Sequence, residues 1–108
     1  MNKLIKIIFF VIIVFPLSIF SLATASEKLK IGVLVPMTGD NKDLGQSIIK
    51  AVRLAIKDIN DDLIEVVPKD TASMPNKTIQ SALELKQMGV NIVIGPVFYK
   101  NLKYLDEV

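Results

Sequence analysis

The sequence predicts an α/β fold, a three-layer βαβαβ parallel sheet with its strands in the order 2-1-3. Short apolar runs rich in β-branched residues alternate along residues 29–97 with longer segments whose apolar residues repeat at helical spacing. Such alternation is typical of parallel sheets joined by right-handed crossovers. Crossovers that cover both faces of the sheet place the first strand between the other two.

The first strand and helix are predicted on either side of a polar loop. Residues 29–35 (LKIGVLV) form a nearly continuous apolar run, which suits a strand buried on both faces. Pro36 ends the strand, and residues 37–44 form a loop. The helix is predicted from about Gly45 to Ile59, because its apolar residues draw one stripe at a period of 3.6 residues.

The second half of the pattern repeats the first. Residues 63–67 (LIEVV) predict the second strand, and residues 76–88 the second helix. Residues 91–97 (NIVIGPV) predict the third strand, and Tyr99 begins another helix-like stretch.

Four residues are assigned to shaping these elements. Asp43 with Gln46 three residues later resembles a capping box, with Asp43 as the N-cap of the first helix. Gly89 follows the second helix directly, where a glycine favours a C-terminal cap. Pro96 is expected to shape the end of the third strand.

Residues 1–25 have the three-part layout of a secretory signal peptide. Lys3 and Lys6 give a positive start, residues 7–22 are apolar, and Ala23 and Ala25 supply the small residues that the peptidase reads. A membrane anchor is the alternative, but the apolar run falls short of the ~20 residues that a spanning helix needs. Cleavage after Ala25 is therefore predicted, with residues 26–108 as the mature domain.

The composition of residues 26–108 excludes several classes of function. Lys3 and Lys6 account for two of the thirteen basic residues, so eleven remain against eleven acidic ones. A net charge near zero does not suggest nucleic-acid binding, which needs a clustered basic face. The chain has neither Cys nor His, which removes disulfides, the commonest metal ligand and histidine-based catalytic triads.

The loop after the first strand is the first candidate site. Ligands of open α/β sheets bind at the carboxyl ends of the strands, where Thr38 and Gly39 lie. Thr38 could donate a hydroxyl hydrogen bond to a ligand, or both residues could only shape the turn. A P-loop is not indicated, because five residues separate Gly39 from Gly45 where that motif has four, and the dinucleotide fingerprint is also absent.

Two further candidates follow the other strands. Asp70 could hold the binding loops in place, or it could be a solvated acid or a local turn cap. Phe98 and Tyr99 form an aromatic pair that could line a pocket or pack in the core.

The run KIGVLVPMTGDNKDLGQSIIKAVRLAIKDIN resembles the opening of periplasmic binding proteins of the leucine/isoleucine/valine-binding family. The later strand IVIGPV and the helix end Met88-Gly89-Val90 also match, so the resemblance covers residues 29–100. It implies two α/β lobes that close on a small amino-acid-like or organic-anion ligand and deliver it to an ABC transporter permease. The chain would then be an incomplete N-terminal lobe of the type I fold, free in the periplasm, in which Ile92 and Ile94 lie exposed.

The resemblance also implies where the ligand binds. The family's contacts from this lobe come from the first strand–helix loop and the loop after the third strand, which carry Thr38, Gly39, Leu44, Phe98 and Tyr99. Leu44 stands where amino-acid binders often carry an aromatic residue, which departs from that pattern. No cofactor, metal or enzymatic activity is expected.

One alternative belongs to a different functional class. The stretch GPVFYKNLKYLDEV is similar to part of the penicillin-binding protein activators, which share this fold and act through protein partners in cell-wall synthesis. Those proteins are typically lipoproteins, whereas this chain has no Cys for a lipid anchor.

Overall fold

The computed structural model describes residues 2–3, 26–106 and 108. The predicted signal peptide, apart from residues 2 and 3, lies outside these described residues. The element order is β1 (Leu29–Val35), α1 (Lys42–Ile59), β2 (Ile64–Asp70), α2 (Pro75–Gln87), β3 (Ile92–Ile94) and α3 (Tyr99–Leu102). Each helix in the described part of the chain is too short or too polar to cross a bilayer.

The three strands form one parallel sheet in the order β2-β1-β3, which confirms the predicted topology. β1 lies in the centre and pairs with β2 from Leu29↔Ile64 to Val35↔Asp70. Its pairing with β3 is shorter, from Ile31↔Ile92 to Val33↔Ile94. Because all three strands run the same way, the loops that follow them meet at one edge of the sheet.

One helix covers each face of the sheet. Alternate residues of β1 point to opposite faces, so Val33 and Val35 pack with Ile49 of α1. Leu34, on the other face, packs with Ala82 and Leu85 of α2 and with two further valines, Val67 and Val90. The resulting helix–sheet–helix sandwich is the predicted three-layer architecture.

The predicted capping box of α1 is wrong. The helix begins at Lys42 with Asn41 as its N-cap, and no side chain caps it. The Gly45 N–H already donates to the Asn41 carbonyl at 3.3 Å, so Asp43 lies within the first turn and Gln46 one turn in. Asp43 there can still interact favourably with the positive end of the helix.

The strands differ in length from the sequence prediction for identifiable reasons. β2 continues through Pro68 to Asp70, because β2 is an edge strand of the described sheet and an edge tolerates a missing N–H. β3 stops at Ile94, since Gly95 turns away at φ +118° and Pro96 has no N–H for the ladder. Ile92 and Ile94 remain 48% and 41% exposed, as the sequence predicted.

α2 spans Pro75–Gln87, close to its predicted bounds. Gly89 follows it at φ +75°, and its N–H donates to the Lys86 carbonyl at 3.0 Å. The Val90 N–H donates to the Leu85 carbonyl at 3.1 Å, which completes a Schellman motif. This left-handed turn directs the chain from α2 back into β3.

Candidate functional site

The carboxyl edge of the sheet gathers the loops that follow the three strands. The first loop (residues 36–41) follows β1, the second (residues 71–74) follows β2, and the third (residues 95–98) follows β3. The third loop lies against the end of β1, because Val97 packs with Val33 and Val35 in the core beneath α1. The three loops together form the candidate site.

The Asp70 carboxylate ties the first loop to the end of β2. Its Oδ1 accepts backbone N–H groups from Met37 at 2.7 Å, Ala72 at 2.8 Å and Thr38 at 3.3 Å. Its Oδ2 accepts the Thr38 hydroxyl, with Oγ1 at 2.7 Å. One side chain therefore accepts hydrogen bonds from both the backbone and the side chain of the first loop.

These contacts also determine the charge of Asp70. Partial burial raises the pKa of the Asp70 carboxyl, but the hydrogen bonds outweigh it and hold the pKa below its ordinary value of 3.8. The hydrogen bond from the Thr38 side chain contributes most to this lowering, followed by the backbone N–H groups of Met37, Ala72 and Thr38. The carboxylate is therefore ionised at neutral pH and can only accept hydrogen bonds.

The second loop is a tight turn with an unusual backbone. Ala72 and Ser73 have φ values of +46° and +57°, and the Met74 N–H closes the turn on the Thr71 carbonyl at 2.8 Å. Two consecutive positive φ angles are the pattern of a type I′ turn, which normally selects glycine and asparagine. Such strain persists where surrounding contacts hold it, and here the buried Thr71 accepts the Ser73 N–H through its hydroxyl oxygen at 3.3 Å.

The first and second loops are also joined side chain to side chain. The Asn41 Nδ2 atom lies 3.1 Å from the Ser73 Oγ atom. On the other side of β2, the Ser81 hydroxyl of α2 donates to the Asp70 carbonyl at 2.6 Å. Asn41 and Ser73 were not among the predicted site residues. Alanine and serine give no sequence signal for the left-handed turn at residues 72 and 73, and the contact between Asn41 and Ser73 joins residues 32 positions apart.

The five predicted ligand-binding residues occupy different environments. Thr38 is exposed but tied to Asp70, and Gly39 has φ +79° with open space where a Cβ would stand. Leu44, in the first turn of α1, is 44% exposed. Phe98 is half-buried at the start of α3, whereas Tyr99 is 82% exposed. The structure thus brings Thr38 and Asp70 into direct contact and leaves Leu44 and Tyr99 exposed.

This edge offers hydrogen-bonding groups in its loops and exposed apolar side chains beside them in sequence. Within residues 26–106, no group of three acidic side chains is arranged to hold a metal ion. The backbone of the first loop is already ordered by Asp70, so a ligand would meet a preformed surface.

Comparison with known proteins agrees with this architecture. The family described as periplasmic binding protein matches residues 28–107. A solute-binding protein of an ABC transporter from R. palustris, solved in complex with benzoate, is 22% identical with a TM-score of 0.66. That match covers 74% of this chain and 24% of the other.

A second solved structure is more similar in sequence. It is a solute-binding protein of an ABC transporter from Rhodopseudomonas palustris BisB5, in complex with 3,4-dihydroxybenzoic acid. It is 38% identical, with a TM-score of 0.57, over 61% of this chain and 20% of the other. This chain therefore spans about a quarter or less of the length of both structures. A search of curated proteins gave no match.

Proposed function

This chain belongs to the periplasmic binding protein family, and from that membership we propose that it supplies one wall of a solute-binding site. The ligand is a small organic acid, either amino-acid-like or aromatic, and the bound form is recognised by an ABC transporter permease. The role is binding and not catalysis. The observation that carries this proposal is the first loop, which Asp70 holds in place at the carboxyl edge of a parallel sheet.

The exposed and half-buried side chains at this edge suit a small acid with an apolar body. Leu44, Phe98 and Tyr99 offer apolar and aromatic surface, and Thr38 and Ser73 offer hydroxyl groups. The relative that is 38% identical holds 3,4-dihydroxybenzoic acid, a ligand of this chemistry. A leucine-, isoleucine- or valine-like ligand remains the second candidate, from the resemblance of the opening motif. Both named relatives are solute-binding proteins, so we do not adopt the cell-wall activator alternative.

Titration of the ¹⁵N-labelled chain with 3,4-dihydroxybenzoate and with leucine tests the proposal. We expect the amide signals of Thr38, Gly39, Ser73 and Tyr99 to shift as one of these acids is added. The dissociation constant should be about millimolar, because one lobe leaves much of the ligand in water, whereas good sites bury ~70–90% of it.

The opposite end of the sheet provides the internal control for this titration. Lys30 and Asn91 line a polar groove at the amino ends of the strands, together with Gly89. Their amide signals should stay in place. Shifts confined to that groove, or no shifts with either acid, would contradict the proposed site.

We also propose that the chain is exported and cleaved. Ala23 and Ala25 have the spacing that signal peptidase reads, so the mature protein should begin at Ser26. N-terminal sequencing of the protein from a periplasmic extract measures this directly. Recovery of the chain with Met1 intact in the membrane fraction would instead support an anchor.

A further inference from the structure

The hydrogen-bonding direction of Thr38 restricts which ligand group can face it. The Thr38 Oγ1 atom lies 2.7 Å from Asp70 Oδ2, and the backbone N–H groups of Met37, Thr38 and Ala72 all point to the same carboxylate. A carboxylate that gathers four donors is an acceptor only. The single proton of the Thr38 hydroxyl therefore points at Asp70.

A hydroxyl whose proton is engaged retains only its lone pairs. Thr38 is exposed at the carboxyl edge of the sheet, and its hydrogen bond to Asp70 lies on the exposed surface, where a ligand group can approach Oγ1. A ligand carboxylate placed against these lone pairs would meet an oxygen acceptor, with the Asp70 charge directly behind it. A ligand hydroxyl or ammonium would instead donate to Oγ1 and extend a chain of hydrogen bonds that ends on Asp70.

We infer that Thr38 selects ligands that present a hydrogen-bond donor to it and that it turns the acid group of the ligand away. This inference rests on the proposed function and names the ligand class more narrowly: a small acid that also carries a hydroxyl or an ammonium group. It reverses the direction expected from the sequence, in which the Thr38 hydroxyl donated to the ligand. Asp70 acts here as a positioning residue, because it orients the hydroxyl and does not itself contact the ligand.

Four acids titrated into the purified chain test the inference. 3,4-Dihydroxybenzoate carries hydroxyl donors, and phenylalanine carries an ammonium donor. Benzoate has neither, and 3,4-difluorobenzoate is close in shape to the dihydroxy acid without a donor. We expect at least one donor-bearing acid to bind about three- to tenfold more tightly than both donor-free acids, as a single net hydrogen bond allows. Comparison of 3,4-dihydroxybenzoate with phenylalanine shows whether a ligand hydroxyl or a ligand ammonium group is the preferred donor.

Two variants show whether Thr38 causes this preference. Thr38→Val keeps the shape and removes the oxygen, so the preference should disappear. Thr38→Ser retains the hydroxyl, so the preference for donor-bearing acids should remain. The dispersion of the amide spectrum reports whether each variant is folded, and the comparison of the dihydroxy and difluoro acids on the unaltered chain does not depend on either variant.

The outcomes separate the inference from the proposed function. If the donor-free acids bind as tightly as the donor-bearing ones, or if Thr38→Val leaves the preference intact, the inference is wrong and the binding site stands. If neither the four acids nor leucine moves the amide signals of the three loops, the proposed function is wrong and the inference is wrong with it.

Discussion

Replacing Gly45 with alanine should lower the free energy of unfolding by about 3 kcal/mol, at the upper end of what overpacking usually costs. A Cβ atom at position 45 would lie 1.7 Å from the Pro36 carbonyl oxygen and 2.7 Å from its carbonyl carbon. Both atoms are backbone, so no side chain can swing aside to make room. α1 would have to move away from the end of β1, and the first loop between them would move with it.

The sign of the stability change at Gly45 distinguishes a steric clash from the ordinary effect of alanine in a helix. Alanine in place of glycine within a helix normally stabilises by about 0.5–1 kcal/mol. Gly39→Ala is a matched control, because Gly39 has φ +79° and no atom beyond its own chain neighbours lies within 4 Å of the Cβ that alanine would add. That change should cost only the left-handed strain of about 1–2 kcal/mol. Urea unfolding followed by circular dichroism compares the two, and a Gly45→Ala chain as stable as the parent would show that α1 does not press on Pro36.

Removal of the Asp70 carboxylate is the second large effect expected. Asp70→Ala should lower the free energy of unfolding by about 2 kcal/mol, because hydrogen bonds to a charged acceptor contribute about 1.5–3 kcal/mol each and water can replace part of them. Met37, Thr38 and Ala72 all lose their acceptor. The first loop should then lose its fixed conformation, so ligand-induced shifts of its amide signals should weaken as well.

The pH dependence of the unfolding free energy shows whether the charge of Asp70 causes this stabilisation. Since its folded-state pKa is lowered, its contribution is present in full above the ordinary pKa of 3.8. The contribution is lost as the pH falls from there through the folded-state value. The gap in stability between the parent and Asp70→Ala should therefore narrow as the pH falls below about 4.

Asp40→Ala is the control for this prediction. Asp40 lies in the same loop and is exposed, and within the described residues its carboxylate makes no hydrogen bond. Its replacement should change stability by less than about 0.5 kcal/mol at any pH, as surface substitutions usually do. Equal losses of unfolding free energy in Asp40→Ala and Asp70→Ala would contradict the role of Asp70 in holding the first loop.

Local patterns in the sequence were enough to determine the architecture. The apolar run of residues 29–35 and the helical stripe between Ile48 and Ile59 predicted a parallel sheet with β1 in the middle, and the structure has that order. The reason is physical, because a strand buried on both faces must be apolar throughout and a helix on its surface must be apolar on one side. Both constraints act on residues that are close together in the sequence, so the sequence alone reveals them.

The details of the site depended on contacts between distant residues. Asp43 had the sequence of a cap, but the helix begins at Lys42, where the Gly45 N–H donates to the Asn41 carbonyl, and Asp43 therefore lies within its first turn. Asp70 and Thr38 are 32 residues apart, and only the register between β1 and β2 brings the carboxylate to the hydroxyl. The direction of that hydrogen bond, from the Thr38 hydroxyl to the carboxylate, follows from the charge of Asp70 in the folded chain. No local pattern encodes such a contact, because its two partners become neighbours only when the sheet forms.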